Sequence, residues 1–368
     1  MMKLRQIFFA TTLSLGLLLS PSAAFAKAKI QIAILLDSSN SMDGLIDQTR
    51  TQLWEIVNAL TSVTKDGEIP ELEVALYHYG NDHLPSQEGF LTLLNGFTSE
   101  LDLVSEKLFS IDTNGGQEYA GWVINSALKE LNWSAEDENF RVIFIAGNEP
   151  FDQGPVDWKD SVETAANRDI LVNTIYCGNP ESEDRTFWVS GAQAGQGDHF
   201  NINHNRTVTF IESPYDADIA LWNQRLNETY IPYGIEGEIG QERQQVEDAN
   251  AGTNIASRGA SKASGYYRNA SWDLVDALDE ERVQLAELTD ADLPEAMQGM
   301  TLAQKREYVA QRQEERARIQ AILRDLNQKR ADYVAQQTQA NSEGEDTLDS
   351  VTIQALRQQL TAKGFEFQ

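Results

Sequence analysis

The sequence predicts an α/β protein, with a doubly wound, mostly parallel sheet followed by an all-α C-terminal extension. The β-branched, apolar runs at 30–36 and 140–146 are typical of strands that are buried on both faces of a sheet. Strand-like and helix-like segments alternate along the first part of the chain, which is the order that builds a parallel sheet. Convincing strand patterns stop near residue 211, and this change predicts the helical extension.

The elements of the sheet region follow in order. The predicted strands cover 30–36, 72–79, 89–94, 140–146, 170–177 and 199–202. The predicted helices cover 44–62, 101–109, 119–131, 157–167 and 188–194. The first helix shows the pattern clearly, because Leu45, Leu53 and Val57 recur at helical spacing and give it one apolar face. We therefore expect residues 27–212 to form one sheet domain.

The extension is predicted to be helical in several pieces. Helical patterns cover 216–230, 236–264, 301–337 and 352–363, and the segment 266–288 contains an aromatic cluster and a helix. In the longest piece, charged residues such as Arg312 and Lys329 interrupt the apolar seam, so we expect a long helix packed on one side rather than a regular coiled coil. The expected segments are a helical segment at 213–300, the long helix at 301–340, and an acidic linker with a short terminal helix at 341–368.

Residues 1–26 are predicted to be a secretory signal peptide. A short basic start is followed by an apolar stretch at 7–19, which is too short to span a bilayer, and by an Ala24-Phe25-Ala26 cleavage motif. No later segment is long and apolar enough for a membrane helix, so we expect an exported protein, periplasmic or secreted, without membrane insertion. The single cysteine, Cys177, excludes an intramolecular disulfide.

The formal net charge of −28 limits the classes of partner. Such a field repels phosphate backbones and anionic lipid headgroups, so we expect no binding to nucleic acid. It favours solubility and cation binding.

A cluster of oxygen-bearing side chains follows the first strand. Asp37, Ser39 and Ser41 are spaced two residues apart, where an open α/β sheet binds its ligands. This spacing can turn one carboxylate and two hydroxyl groups towards one point, and hard cations accept both kinds of oxygen. A helix cap would explain one serine alone. The three residues together favour a metal site.

The stretch Asp37-Ser38-Ser39-Asn40-Ser41 resembles the Asp-x-Ser-x-Ser signature of von Willebrand factor type A domains, and the resemblance covers about residues 28–210. It implies a metal-ion-dependent adhesion site that holds Mg²⁺ or Mn²⁺, with Ca²⁺ as a further candidate. In that family the ion recruits an acidic side chain from a protein partner. Segments such as "LYHYGND" and "ASKASGYYRNASWDLVDAL" also resemble a bacterial exported group of these domains that carries a helical C-terminal extension.

The resemblance implies two further ligands. Glu118, in the segment "TNGGQEYAGW", stands where the family usually has a threonine. A carboxylate there can bind a cation directly or through water, although a helix N-terminus alone would also explain it. Thr113 is the alternative ligand. The predicted metal ligands are therefore Asp37, Ser39, Ser41 and Glu118.

The third family ligand is missing, because Gly147 stands where the family has an aspartate. Asn148, Glu149 or Asp152 could reach the ion instead. This departure implies a rearranged site, a weak site, or one that is empty at physiological magnesium concentrations.

Two further functions compete with the leading interpretation of a protein-binding module. Phosphotransferases of the haloacid dehalogenase type also place an aspartate directly after a buried strand, with magnesium. They need a second acid two residues later as general acid, and Ser39 occupies that position here. The other alternative is a scaffold whose metal site has degenerated. The sequence leaves the oligomeric state and the identity of the partner open.

Overall fold

The computed structural model describes residues 27–203, 211–341 and 348–367. The predicted signal peptide lies outside these ranges, as does all of the predicted acidic linker except Asn341. The strands are β1 Lys29–Asp37, β2 Val63–Thr64, β3 Glu71–Tyr79, β4 Leu91–Thr98, β5 Phe140–Gly147, β6 Leu171–Tyr176, β7 Gln196–Asn201 and β8 Glu366–Phe367.

The helices of the sheet region are α1 Asp43–Leu60, α2 Leu101–Phe109, α3 Ala120–Glu130, α4 Trp158–Asn167 and α5 Arg185–Ala194. Those of the extension are α6 Asp216–Asn227, α7 Glu236–Ala251, α8 Ile255–Lys262, α9 Leu274–Asp279, α10 Leu302–Asn341 and α11 Leu348–Ala362. The helix predicted within the segment 266–288 is the short α9.

The main sheet has the strand order β4-β3-β1-β5-β6-β7. Strand β1 lies between β3 and β5 and pairs parallel with both, and only the edge strand β4 among these six runs antiparallel. The prediction of a doubly wound, mostly parallel sheet is confirmed. In such a sheet the carboxyl ends of the parallel strands meet on one side, where Asp37 ends β1.

Two helical layers cover the sheet, and alternation along β1 decides which layer each side chain meets. Ile30 and Ile32 pack in one core with α1, α2 and α11. Ala33 and Leu35 pack in the other core with α3, α4 and α5. Because successive side chains of a strand point to opposite faces, Asp37 shares the face of Ala33 and Leu35. Its carboxylate is therefore directed to the helical layer formed by α3, α4 and α5.

The segment 348–367 belongs to the core of the sheet domain. Val351, Leu356 and Phe365 are buried in the same cluster as β1, and β8 pairs antiparallel with β2. The Lys65 ammonium also donates a 2.8 Å hydrogen bond to the carbonyl of Lys363. The prediction that no strand follows residue 211 is wrong here, because a two-residue strand is too short to show any periodic pattern.

The long helix α10 packs on one side, against α6, α8 and α9. Its buried residues include Ile319 and Leu323. Arg316, about one turn before Ile319, is also buried. The Arg316 guanidinium binds both carboxylate oxygens of Asp273, at 2.7 and 3.0 Å. A charged residue in the seam thus contributes to packing instead of interrupting it.

A buried ionic cluster joins the extension to the sheet domain. Arg258 of α8 is fully buried and binds Asp102 of α2 at 2.6 Å and Asp248 of α7 at 2.5 Å. Lys262 binds the same Asp248 at 3.1 Å. The guanidinium also lies 4.7 Å from the ring centre of Trp54 in α1. Four helices therefore share one set of compensated buried charges.

Among the helices in the described ranges, none combines the length and the apolar character needed to cross a membrane.

We expect Arg258→Met to lower the free energy of unfolding by about 3–5 kcal/mol, because it leaves the buried Asp102 carboxylate without its ion pair. The matched control is Lys329→Met, whose partner Asp325 lies on the exposed side of α10. This control should cost less than about 1 kcal/mol. Urea unfolding followed by circular dichroism measures both values. Equal, small losses in the two variants would contradict a joining role for the cluster.

Candidate metal centre

The loop after β1 buries the first predicted ligand. Asp37 is 0 % exposed, and its Oδ1 accepts a 2.8 Å hydrogen bond from the backbone N–H of Ser39. The N–H of Ser38 donates to the Tyr79 carbonyl at 2.8 Å, which extends the β1–β3 ladder one residue further. The chain turns only after this bond. Asp37 is therefore held at the mouth of the sheet by regular strand geometry.

The two predicted serine ligands lie side by side. The hydroxyl oxygens of Ser39 and Ser41 are 3.0 Å apart, and Asn148 donates its side-chain N–H to Ser41 at 3.1 Å. Ser39 makes no side-chain capping bond to the helix that follows it. The capping explanation is thus not supported for Ser39, and its hydroxyl group faces Ser41 instead.

Close backbone contacts at two glycines place Glu118 beside Asp37. A Cβ atom on Gly116 would lie 2.6 Å from the carbonyl oxygen of Gly80, so the two loops touch through backbone. A Cβ atom on Gly80 would in turn lie 2.6 Å from Glu118 Cγ and 2.8 Å from Asp37 Oδ1. Gly80 also has a φ of +77°, a conformation that favours glycine. Both positions therefore need glycine for the two acids to meet.

Polar bonds hold this arrangement together. Asn81 is buried, and its side-chain N–H donates to the Asp112 carbonyl at 2.8 Å. The N–H of Asn114 donates to the Ser38 carbonyl at 3.0 Å, and the N–H of Asp82 donates to the Gly115 carbonyl at 2.8 Å. The loops after β1, after β3 and before α3 are thereby tied into one unit.

The carboxyl groups of Asp37 and Glu118 lie within hydrogen-bonding reach of each other. Burial, followed by the adjacent charge of Asp37, raises the pKa of Glu118 far above its usual range. Burial also raises the pKa of Asp37. Without a cation, the pair therefore retains a proton near neutral pH.

One oxygen of each acid has no hydrogen-bond partner. Asp37 Oδ2 and Glu118 Oε2 are both buried and unsatisfied. Buried polar atoms are nearly always paired, and a missing partner often marks the position of an ion or a ligand. Carboxylate, hydroxyl and amide oxygens are ligands for hard divalent cations. This donor set fits Mg²⁺, Mn²⁺ or Ca²⁺.

The alternative ligands are placed less favourably. Thr113 donates its hydroxyl to the Asp43 carboxylate, and the side chains of Glu149 and Asp152 are exposed. Only Asn148 touches one of the predicted ligands. In the described ranges no three His, Cys, Asp or Glu side chains converge on one point, so a cation here would also need hydroxyl or amide oxygens.

Two residues of the centre could not be identified from the motif. Gly80 follows a strand in "HYGND", a turn signal whose importance depends on the distant Gly116. Tyr79 donates its hydroxyl to the Ala146 carbonyl at 3.1 Å, beside the position of the missing family aspartate. A contact between strands that are distant in sequence leaves no local pattern.

No protein-family profile and no curated protein sequence matches the chain. Among solved structures, the conserved hypothetical protein BatB from Bacteroides thetaiotaomicron aligns at 16% identity over 47% of this chain and 90% of its own, with a TM-score of 0.36. The vWF domain of the type V pili tip protein Mfa5 from Porphyromonas gingivalis aligns at 10% identity over 48% and 90%, with a TM-score of 0.34. Proximal thread matrix protein 1 from the mussel byssus, solved with a zinc-occupied MIDAS motif, aligns at 14% identity over 48% and 42%, with a TM-score of 0.36.

These similarities are too low to carry information about function, and the fold assignment rests on the chain itself. The strand order β4-β3-β1-β5-β6-β7, the antiparallel edge strand β4 and the Asp37–Ser41 loop at the end of the central strand agree with one another. On these grounds the sheet domain has the strand order and the loop position that are typical of the von Willebrand factor type A fold.

Proposed function

We propose that the protein is an exported binding module that engages an acidic side chain of a protein partner through a divalent cation. The cation would be held by Asp37, Ser39, Ser41 and Glu118. The observation that carries the proposal is the pair of buried, unpartnered oxygens Asp37 Oδ2 and Glu118 Oε2 beside the two serine hydroxyl groups. Export is proposed from the predicted signal peptide.

Each residue has a distinct task in this proposal. The two acids supply two negative charges in a buried place, where they balance a divalent cation and lose their shared proton to solvent. Ser39 and Ser41 supply neutral oxygens, and the exposed Ser41 marks the side that is open to a partner. When bound, the cation supplies an electrophilic centre that accepts one further oxygen from outside the protein.

The packing around Gly147 explains why this position has no aspartate side chain. A Cβ atom on Gly147 would lie 2.7 Å from the Tyr79 hydroxyl oxygen, 3.1 Å from Trp188 and 3.2 Å from Asp37 Cβ. The space for a side chain is already filled by the two aromatic residues. In this proposal Glu118 supplies the second carboxylate from the opposite loop.

The phosphotransferase alternative gains no support from the geometry. Asp37 is fully buried and has one oxygen bonded to the Ser39 N–H, so it is poorly placed to attack a phosphorus atom. Ser39, at the position of the general acid, is a hydroxyl group that cannot protonate a leaving group efficiently at neutral pH.

We expect Glu118→Gln to weaken Mn²⁺ binding by at least about tenfold, because it removes a charged ligand. The same variant should raise the free energy of unfolding in chelator by about 1–3 kcal/mol. The reason is the raised pKa of Glu118, which makes the metal-free fold bind a proton that the unfolded chain has lost at pH 7.

Isothermal titration calorimetry with Mn²⁺ and thermal melts in chelator measure the two effects. The matched control is Glu149→Gln, an exposed acid nearby, which should change neither value strongly. Loss of stability in Glu118→Gln, together with unchanged Mn²⁺ binding, would refute the assignment of Glu118 as a ligand.

We expect Gly147→Ala to lower the free energy of unfolding by about 1–3 kcal/mol, because its Cβ meets the Tyr79 hydroxyl in a packed core. In a Tyr79→Phe background the same change should cost clearly less, since the hydroxyl is gone. Urea unfolding of the double-mutant cycle measures this coupling. Strictly additive losses would show that the two residues do not compete for space.

We expect no hydrolysis of an aryl phosphate in the presence of Mg²⁺, because Asp37 is enclosed and Ser39 is a weak acid. A colorimetric assay of released phenolate tests this. Turnover that disappears in Asp37→Asn would overturn the binding function in favour of an enzyme.

A further inference from the structure

We infer that the loops around the candidate metal centre form a docking face for a basic protein surface, one that is rich in Lys and Arg. This inference rests on the proposed function, because it names the kind of partner that the same centre would meet. The loop face consists of 38–42, 80–90, 110–119, 148–157 and 177–184, all at the carboxyl-end side of the sheet.

The loop face contains acids and neither Lys nor Arg. Its exposed acids include Asp82, Glu88, Asp112, Glu149, Asp152 and Asp157. No ion pair found among the described residues uses an acid of these loops, whereas acids elsewhere are often paired, as Asp216 is with Arg330 and Asp290 with Lys305. The charge of the face is therefore not neutralised from within the described parts of the chain.

Basic residues on the flanking helices form no ion pair with the loop acids among the described residues. Arg50 of α1 donates to the carbonyls of Leu108 and Ile111, at 3.1 and 2.6 Å. Lys107 of α2 pairs with Glu106. Arg185, at the start of α5, directly follows the acids of the loop 177–184, but none of the ion pairs found among the described residues joins it to them. None of these cations compensates the exposed acids of the loops.

A cluster of exposed acids is often only solvated surface, but this face also borders the buried, unpartnered oxygens of Asp37 and Glu118. Asp37 is 0 % and Glu118 6 % exposed. A cation held there would be balanced by these two acids, so it would not offset the remaining charge of the face. A partner that presents a lone carboxylate would be repelled by the surrounding acids. A carboxylate carried on a basic surface would instead be attracted as it approaches.

An aromatic group beside the centre also suits a basic partner. The rings of Tyr119 and Trp122 stack with centres 6.2 Å apart, and Phe90 meets Tyr119 edge-on at 5.9 Å. All three are partly exposed. Guanidinium and ammonium groups bind favourably to such rings, and Arg does so most often.

The backbone holds this aromatic group in place. A Cβ atom on Gly89 would lie 2.5 Å from the Trp122 ring, and one on Gly154 would lie 2.6 Å from Tyr119. Phe90 has a φ of +54°, which is strained for an aromatic residue. The acids Glu88 and Asp152 stand next to these contacts along the chain. Phe90 and Tyr119 therefore belong to the same loops as the exposed acids, and Trp122 packs against those loops.

The test measures binding of a fluorescein-labelled oligoarginine peptide to the full chain by fluorescence anisotropy, at physiological ionic strength. The face variant combines Asp82→Asn, Glu88→Gln and Asp152→Asn. The matched control combines Glu307→Gln, Glu314→Gln and Asp332→Asn, which remove the same charge from the exposed side of α10. All six side chains are exposed, so both variants should fold.

We expect the face variant to bind the peptide about tenfold more weakly and the control to change by less than about twofold, as the loss of three exposed ion pairs implies. Equal weakening in both variants would show that the peptide senses only the net charge, and this would overturn the inference. So would an absence of binding by the unmodified protein. Mn²⁺ calorimetry on the unmodified protein separates the two proposals. Absence of Mn²⁺ binding there would refute the metal centre, whereas the peptide experiment tests the loop face.

Discussion

The contact between the backbones of Gly80 and Gly116 is the constraint on which the centre depends. It brings the loop before α3 against the end of β3, and so places the carboxyl group of Glu118 beside that of Asp37. A side chain at either glycine would separate the two acids. Two buried acids without a cation are unfavourable, so the packing of these loops opposes the electrostatics of the groups it brings together. Locally unfavourable arrangements of this kind are common at functional sites, where the surrounding structure stabilises them.

Much of the sheet domain could be predicted from the sequence because its signals are local. The runs at 30–36 and 140–146 are apolar throughout, as central parallel strands must be, and both became central strands. The two-residue spacing of Asp37, Ser39 and Ser41 likewise placed three oxygens in one short loop. These inferences needed only neighbours along the chain.

The remainder depends on contacts between distant residues, which leave no pattern in a single sequence. The role of Gly80 depends on Gly116, and the closed space at Gly147 depends on Tyr79 and Trp188. The same holds for Arg258 of α8, because no local pattern indicates its ion pair with Asp102, 156 positions earlier in the chain. The polar character of such residues suggests a surface. Only the fold shows that their charges are paired inside.

The place of segment 348–367 in the core has a consequence for how the protein folds. The core that β1 shares with α11 is incomplete until segment 348–367 has been synthesised. The carbonyl that Lys65 binds belongs to Lys363, 298 residues further along the chain. Contacts at such separation close a very large loop, which slows folding and leaves apolar strands uncovered for longer. During synthesis, the early strands would therefore be the part of the chain most prone to aggregation.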